Sequence, residues 1–505
     1  MQADLRPRRW LAVALTAALA LAACTPQQPA PPPEPSSSST SASPSPTPQV
    51  DYLKVATVDP ITSLDPAFVT GPTGATVVGT VYQRLMTVLP TTGELKPDAA
   101  DCLFTSKVVY ECTLTEGLKF HNGDVLDSSD VKFSIQRALR IAAPGTSASL
   151  LGSLRRIDTP DPLTVRFTLE WPDNQFGYAL ATAAASIVDE DYYDPDLELA
   201  PGTLPNGSGP YRVTTVGADE LTFARFVGYL GARAGLFPDL KLMILPDSAT
   251  AEAAIGAGSV DVVWRSLDSA AQQRLQLEIS ASPNHTTAKG FTQFSLPGWR
   301  INRLIWSSGS KLRKNNALRT AVATVLQADR TSDSIVPVGV GDHVSAFAVG
   351  GRPKIPSMKK GRLKLTLAYS SAAPSNGDLA RLIRDRIEQL DGVSVRLVTS
   401  GEADLLLTDQ PAWVNNAMGW LQTYLDHPLP ASAAKLTEAS RRARSTTGEA
   451  RTAALAELQQ QAATDNTVIP ITQSDGIMFI GKGVKTFGET FGSDQALGLW
   501  GLLRG

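Results

Sequence analysis

Several things are scarce in this 505-residue chain, and each scarcity excludes a class of function. Three cysteines rule out a small disulfide-stapled scaffold and leave too few thiols for a cysteine zinc site. Four histidines (His121, His285, His343 and His427) stand far apart, with no i, i+4 pair and no cysteine neighbour, so no metal is expected. Basic charge is not in excess: 46 Lys+Arg face 49 Asp+Glu, a net charge of −3 that gives no means of neutralising a polyanion. Nucleic acid is thereby excluded as a partner. Cofactor and nucleophile motifs are missing too. Gly339-Val340-Gly341 lacks both the lysine of a phosphate loop and the third glycine of a dinucleotide fingerprint, and no Gly-x-Ser-x-Gly elbow occurs. No cofactor and no enzymatic activity are expected, and nothing singles out a catalytic pair among the acids.

What is present is length and apolar content. With 43% hydrophobic residues, the chain can bury a sizeable core, and its length predicts two or three domains. The N-terminus carries an address. Arg6, Arg8 and Arg9 precede an apolar run at 11–22, which is shorter than the roughly 20 residues a spanning helix needs. Residues 1–23 are therefore expected to be a secretory signal peptide, removed on export. Arg8-Arg9 also suits a twin-arginine signal, so both export routes stay open. Residues 25–49 hold nine Pro, seven Ser and a single charge, Glu34, and such a segment stays extended and solvated. At about 3 Å per residue it reaches up to roughly 75 Å.

Beyond the linker the pattern alternates. Residues 54–58 read as a strand, and Val77, Val78, Val81, Tyr82 and Leu85 as one helical face. Strands flank Cys102 and Cys112; a disulfide across a hairpin is expected in an oxidising compartment, with two buried free thiols as the alternative. Ser128 or Ser129 caps a helix through Val131 and Ile135, and Asn315 or Asn316 caps one through Leu318 and Val322. Leu363, Leu365 and Leu367 alternate as a strand, Leu379 to Leu390 repeat as a helix, and Val393, Val395 and Leu397 form a second strand. This βαβ unit predicts a parallel or mixed sheet. Residues 404–408 read as another, buried strand.

Several motifs then carry a resemblance. Leu21-Ala-Ala-Cys24 resembles the bacterial lipobox, which implies lipidation of Cys24. The stretch from Tyr110 to Asp124, with Gly117, Phe120 and Gly123 in place, continues to Ser129-Asp-Val-Lys-Phe-Ser134. It is similar to a signature of the family 5 extracytoplasmic solute-binding proteins of ABC importers, the oligopeptide and dipeptide binders. Ser63-Leu-Asp-Pro66, Tyr82-Gln-Arg-Leu85, Gly207-Ser-Gly-Pro-Tyr211, Ala257-Gly-Ser-Val-Asp261 and Gln327-Ala-Asp-Arg330 follow in the family's order. The resemblance implies an α/β fold of the two-lobe periplasmic-binding-protein (Venus-flytrap) type with two hinge crossings. It places the lipidated Cys and linker at 24–52 and lobe I at 53–295, with a subdomain inserted at about 75–195. Lobe II follows at 296–470, with a return to lobe I at 471–505.

In such a fold the ends of strands face the cleft, which marks Trp264 and Arg265 as candidates for stacking on a ligand and gripping its carboxylate. The alternative is a core Trp and a surface Arg. Peptide binders of this family hold the ligand's amine with an aspartate in a Gly-Trp-x-x-Asp-Tyr stretch. Here Gly419-Trp420-Leu-Gln-Thr423-Tyr424 puts Thr423 at that place, and alignment on Asp404 puts Trp413 there, with Asp409 or Asp426 as nearby substitutes. Trp264, Arg265, Asp409, Trp413, Trp420 and Tyr424 are thus the candidate ligand-binding residues. The implied function is a monomeric, lipid-anchored binding protein on the outer face of the cytoplasmic membrane. It would capture a peptide or peptide-like solute for an ABC permease; an envelope sensor or interaction lipoprotein on the same scaffold is the alternative.

Overall fold

A computed structural model describes residues 50–505 apart from 91, 356–361, 372, 487–489 and 493. The expected signal peptide, Cys24 and residues 25–49 of the linker lie outside the described residues. The body is built around one ten-stranded mixed sheet. One end consists of Val393–Val398, Leu363–Tyr369 and Leu405–Thr408, all parallel, and belongs to lobe II. At the other end, Val262–Trp264, Leu53–Thr57, Asp239–Ile244, Glu220–Arg225 and Tyr211–Val216 form the lobe I sheet. Between them run two long antiparallel strands, Thr292–Trp306 and Val468–Ile480, which carry the chain from lobe to lobe and back.

The crossing strands bend together. Their register slips between Leu296 and Arg300, where Pro297 and Gly298 interrupt the ladder. Gly298 has φ +68°, a conformation glycine adopts without a Cβ penalty, and its N–H donates to Asp475 at 3.0 Å. Each lobe keeps a core of its own. In Leu53–Thr57 successive side chains alternate faces: Leu53 and Val55 join one lobe I core, whereas Ala56 joins the other. Lobe II packs Leu304, Leu367, Ile383 and Leu407 on one side, and Trp420, Leu436 and Leu458 on the other.

The inserted subdomain is a four-stranded antiparallel sheet in the order Ala100–Ser106, Val109–Leu114, Thr164–Leu169, Leu154–Asp161. Cys102 lies opposite Cys112 in register, and the two are joined by a disulfide. A buried ion pair fastens this subdomain to lobe I. Arg137, on helix Ser128–Ile141, donates to both carboxylate oxygens of Asp65 at 2.8 and 2.6 Å. Asp65 also accepts from the N–H groups of Ala67 and Leu199, so the acid of the Ser63-Leu-Asp-Pro66 motif has a structural task.

Two local expectations need correction. The first helix is Pro72–Val81 and stops before Tyr82 and Leu85. The loop at Gly207-Ser-Gly-Pro-Tyr211 takes the Val81 carbonyl through the Gly209 N–H at 2.8 Å, and Tyr82 turns extended to share a hydrogen bond with Tyr193. The helix Ser128–Ile141 is capped by Asp127, not by Ser128 or Ser129. Asp127 accepts from the Ser129 N–H while the Asp130 side chain accepts from the Asp127 N–H, a reciprocal capping box. Asn315 caps Asn316–Val325, accepting from the Leu318 N–H.

Candidate functional site

Both lobes and both crossing strands contribute to one cavity of about 390 Å³. Trp264 and Arg265 enter it from lobe I, where Val262–Trp264 ends; Trp299 and Arg300 enter at the bend of the first crossing strand; Asp409 enters from lobe II, just past Leu405–Thr408. Both indoles pack against Phe491, with ring centroids 5.6 Å from it for Trp264 and 4.8 Å for Trp299. They give the cavity an apolar wall of inclined rings. The Trp264 Nε1 and the Gln495 Oε1 are buried without a protein partner, in side chains that line the same space.

A chain of charges crosses the site. Arg265 lies 3.4 Å from Asp59 and 3.0 Å from Asp409, and Arg300 donates to Asp409 at 3.0 Å. Arg300 also donates to the carbonyl of Pro374. Burial pushes the Asp409 carboxyl up, but the guanidinium groups of Arg265 and Arg300 outweigh it and hold the group below the usual carboxylate range. At Asp59 burial wins over Arg265, and its carboxyl is raised. Burial works against the charge of Arg265, yet Asp409 and Asp59 together raise its pKa, so it stays a cation. Arg265 holds φ +52°, a left-handed conformation that is uncommon for a long side chain. Behind the site, burial lowers Arg303 to about 10; it donates to the Gln410 carbonyl at 2.5 Å and keeps Nε and Nη1 unpartnered.

Trp264, Arg265 and Asp409 therefore meet in one place. Trp420 and Tyr424 do not, and their candidacy is corrected. Helix Ala417–Leu425 turns both inward to the lobe II core, because residues four apart share a face. Trp420 is 1% exposed, donates to Asn415 and lies under the Arg303 guanidinium, while the Tyr424 hydroxyl donates to the buried Asp465 at 2.7 Å. Trp413 is partly buried between the lobe I core and the subdomain core, outside the cavity lining. Of the two substitute acids, Asp409 lines the cavity; Asp426 binds Gln422 and Ser149 elsewhere. Sequence reasoning missed Trp299, Arg300 and Asp59. A usable signal was present: Trp299-Arg300 repeats the dipeptide Trp264-Arg265, directly after a Pro-Gly strand break.

Among the described residues, no group of His, Cys, Asp or Glu is arranged to hold a metal ion. No helix among them is long and apolar enough to cross a membrane.

Residues 94–348 match the model of the bacterial extracellular solute-binding proteins, family 5. The chain belongs to that family. The family 5 fold is matched by solved structures, among them the periplasmic binding protein DppA from Helicobacter pylori in complex with the peptide STSA. That match has a TM-score of 0.76 and 18% identity, covering 90% of this chain and 98% of that one. Among curated relatives, the glutathione-binding protein GsiB of Escherichia coli K12 is 28% identical over 181 residues, 35% of this chain and 34% of GsiB. The HTH-type transcriptional regulator SgrR of Pectobacterium atrosepticum is 24% identical over 202 residues, 39% of this chain and 34% of SgrR. The chain thus spans about a third of the length of the curated relatives it matches. The family it belongs to is one of bacterial extracellular solute-binding proteins.

Proposed function

We propose that this protein is the solute-capturing component of an ABC importer, held by a lipid on Cys24 at the outer face of the cytoplasmic membrane. It takes a peptide or peptide-like solute between lobe I (53–295, with its insertion, and 471–505) and lobe II (296–470), and delivers it to the permease. The observation that carries this reading is the 390 Å³ cavity at the bend of the two crossing strands, with Trp264 and Arg265 on one lobe and Asp409 on the other. A solute lodged there touches both lobes, so its binding energy favours their closed arrangement. Closure expels water, and each enclosed polar group then needs a partner; Arg265, Arg300 and Asp409 supply both signs of charge for a zwitterionic guest. The relatives named for binding glutathione and a short peptide support that class of solute.

The test is a titration of the full chain with a panel of amino acids, glutathione and short peptides, followed by tryptophan fluorescence. At least one member should saturate the signal, and Arg265→Ala should abolish it; a folded protein that answers to none overturns the reading. Cys24→Ala should move the protein from the membrane to the soluble fraction. A second reading, an envelope sensor without transport, is favoured by the partial match to a transcriptional regulator. It wins if deletion of the protein leaves uptake of the bound solute unchanged.

A further inference from the structure

Between Asp409 and helix Ala417–Leu425 the chain crosses the space between the lobes and is pinned on both sides. Pro411 borders the hinge cavity, and Ala412 is buried in the lobe II core. The next two residues face the other way. Trp413 packs against the lobe I core and the subdomain core together, and Val414 is buried inside the subdomain core. All other buried members of that core among the described residues lie between Leu85 and Ile187, so Val414 is a lobe II residue set into it. Asn416 completes the attachment: its Nδ2 donates to Gln175 of the subdomain at 2.8 Å, while its Oδ1 caps helix Ala417–Leu425 by accepting from the Gly419 N–H at 2.9 Å. The Gly419 backbone lies so close that a Cβ there would stand 2.0 Å from the Val414 carbonyl oxygen, which fixes the segment against its own helix.

The consequence is a divided cleft. Space for a guest is found at the Trp264 and Trp299 end, about 390 Å³, and in a side chamber of about 160 Å³ reached past Trp299 and Gln495 and bordered by Asn415. The recess that Val414 and Asn416 line toward Gln175 holds about 10 Å³. The main chamber lies at the small end of the roughly 300–1,000 Å³ typical of ligand sites.

We infer that residues 411–416 are a length stop: Trp413 and Val414 fill the part of the cleft into which a longer guest would extend and confine the solute to the Trp264–Trp299 chamber. The guest is then a single amino-acid derivative or a peptide of about two residues, and longer peptides are excluded by shape, not by lost contacts. This rests on the solute-binding reading and deepens it.

The experiment compares libraries of free amino acids, dipeptides and hexapeptides against the full chain in detergent, read as bound mass by native mass spectrometry. The wild-type protein should retain members of the first two libraries and none of the third. Trp413→Gly combined with Val414→Ala should gain hexapeptide adducts by about tenfold or more in occupancy, with the small guests kept. Hexapeptides bound by the wild type as readily as dipeptides overturn the stop, as does a folded double variant with unchanged length preference. If the variant does not fold, the wild-type series decides alone. Absence of any adduct from all three libraries overturns the solute-binding reading itself, whereas binding without length dependence overturns only the stop.

Discussion

Arg444 of lobe II reaches Asp173 of the inserted subdomain, Nε donating to Oδ1 at 2.9 Å and Nη2 to Oδ2 at 2.7 Å. The pair is buried, and Asp173 is further satisfied by the Ser153 hydroxyl at 2.6 Å. Backbone contacts run beside it: the Asn174 N–H donates to the Arg444 carbonyl at 2.7 Å, and the Asn174 side chain to that of Thr446 at 2.8 Å. This clasp lies away from the crossing strands and must part if the lobes separate. Removing one partner of such a buried pair costs about 3–5 kcal/mol, because the other charge stays buried without compensation. Asp173→Ala should therefore shift the protein toward a more open form, read as a larger radius of gyration in solution scattering. Replacing both, as Asp173→Leu with Arg444→Met, should recover much of the compaction.

Asp409 predicts a pH dependence. Its folded pKa is depressed, so the native state holds its negative charge more firmly than the unfolded chain does. The stability this contributes is fully present above the unfolded value of about 4 and is lost as pH falls through the lower folded value. Asp409→Asn should cost about 3 kcal/mol at pH 7, since Arg265 and Arg300 then face each other without their shared acid. The gap between variant and wild type should narrow as pH drops below about 4, measured by urea unfolding at a series of pH values.

Gly207 offers a test of packing against backbone. A Cβ at this position would lie 2.2 Å from the Val81 carbonyl oxygen, and backbone cannot step aside as a side-chain tip can. Gly207→Ala should cost about 1–3 kcal/mol in urea unfolding and push the first helix off its present end. Gly202→Ala is not the right control, because Gly202 has φ +80° and is strained for another reason. Gly256→Ala is suitable: nothing lies within 4 Å of its Cβ position, and the gain in helix propensity should leave stability equal or raised.

These positions also show what the sequence could disclose. The strands at Leu363–Tyr369 and Val393–Val398 with their intervening helix were legible because side-chain period is local, set by backbone geometry alone. Helix ends were less so. Val81 ends its helix because of a loop more than 120 residues further on, a contact no window contains. Trp420 and Tyr424 misled for a related reason: an aromatic stripe four apart fits a ligand wall and a helical core equally, and packing decides. Trp264 and Arg265 were readable as strand-end residues, and Asp409 only as one of two substitutes for the acid that the resemblance implied. Asp59 carried no such signal and became visible only once the sheet order set Leu53–Thr57 beside Val262–Trp264, which brings it to Arg265.

His121 provides the last prediction, and its sign opposes that of Asp130. The imidazole Nε2 donates to the Gly209 carbonyl at 3.0 Å, Nδ1 is buried without a partner, and burial lowers its pKa to about 4. The native state thus keeps His121 neutral, while the unfolded chain protonates it near pH 6.5. Between these values the unfolded state binds more protons, so stability falls as pH drops from about 6.5 to 4, by on the order of 1–3 kcal/mol. Asp130 acts in the opposite direction, because burial raises its carboxyl to about 6 and the native state takes up its proton first. The net slope of the wild type therefore mixes the two. The difference between wild type and His121→Gln isolates the histidine: the amide retains an N–H for Gly209 but does not titrate. That difference should grow in favour of the variant as pH falls from 6.5 to 4 and stay flat above 7, and a flat difference throughout would mean that His121 is already solvated in the folded protein.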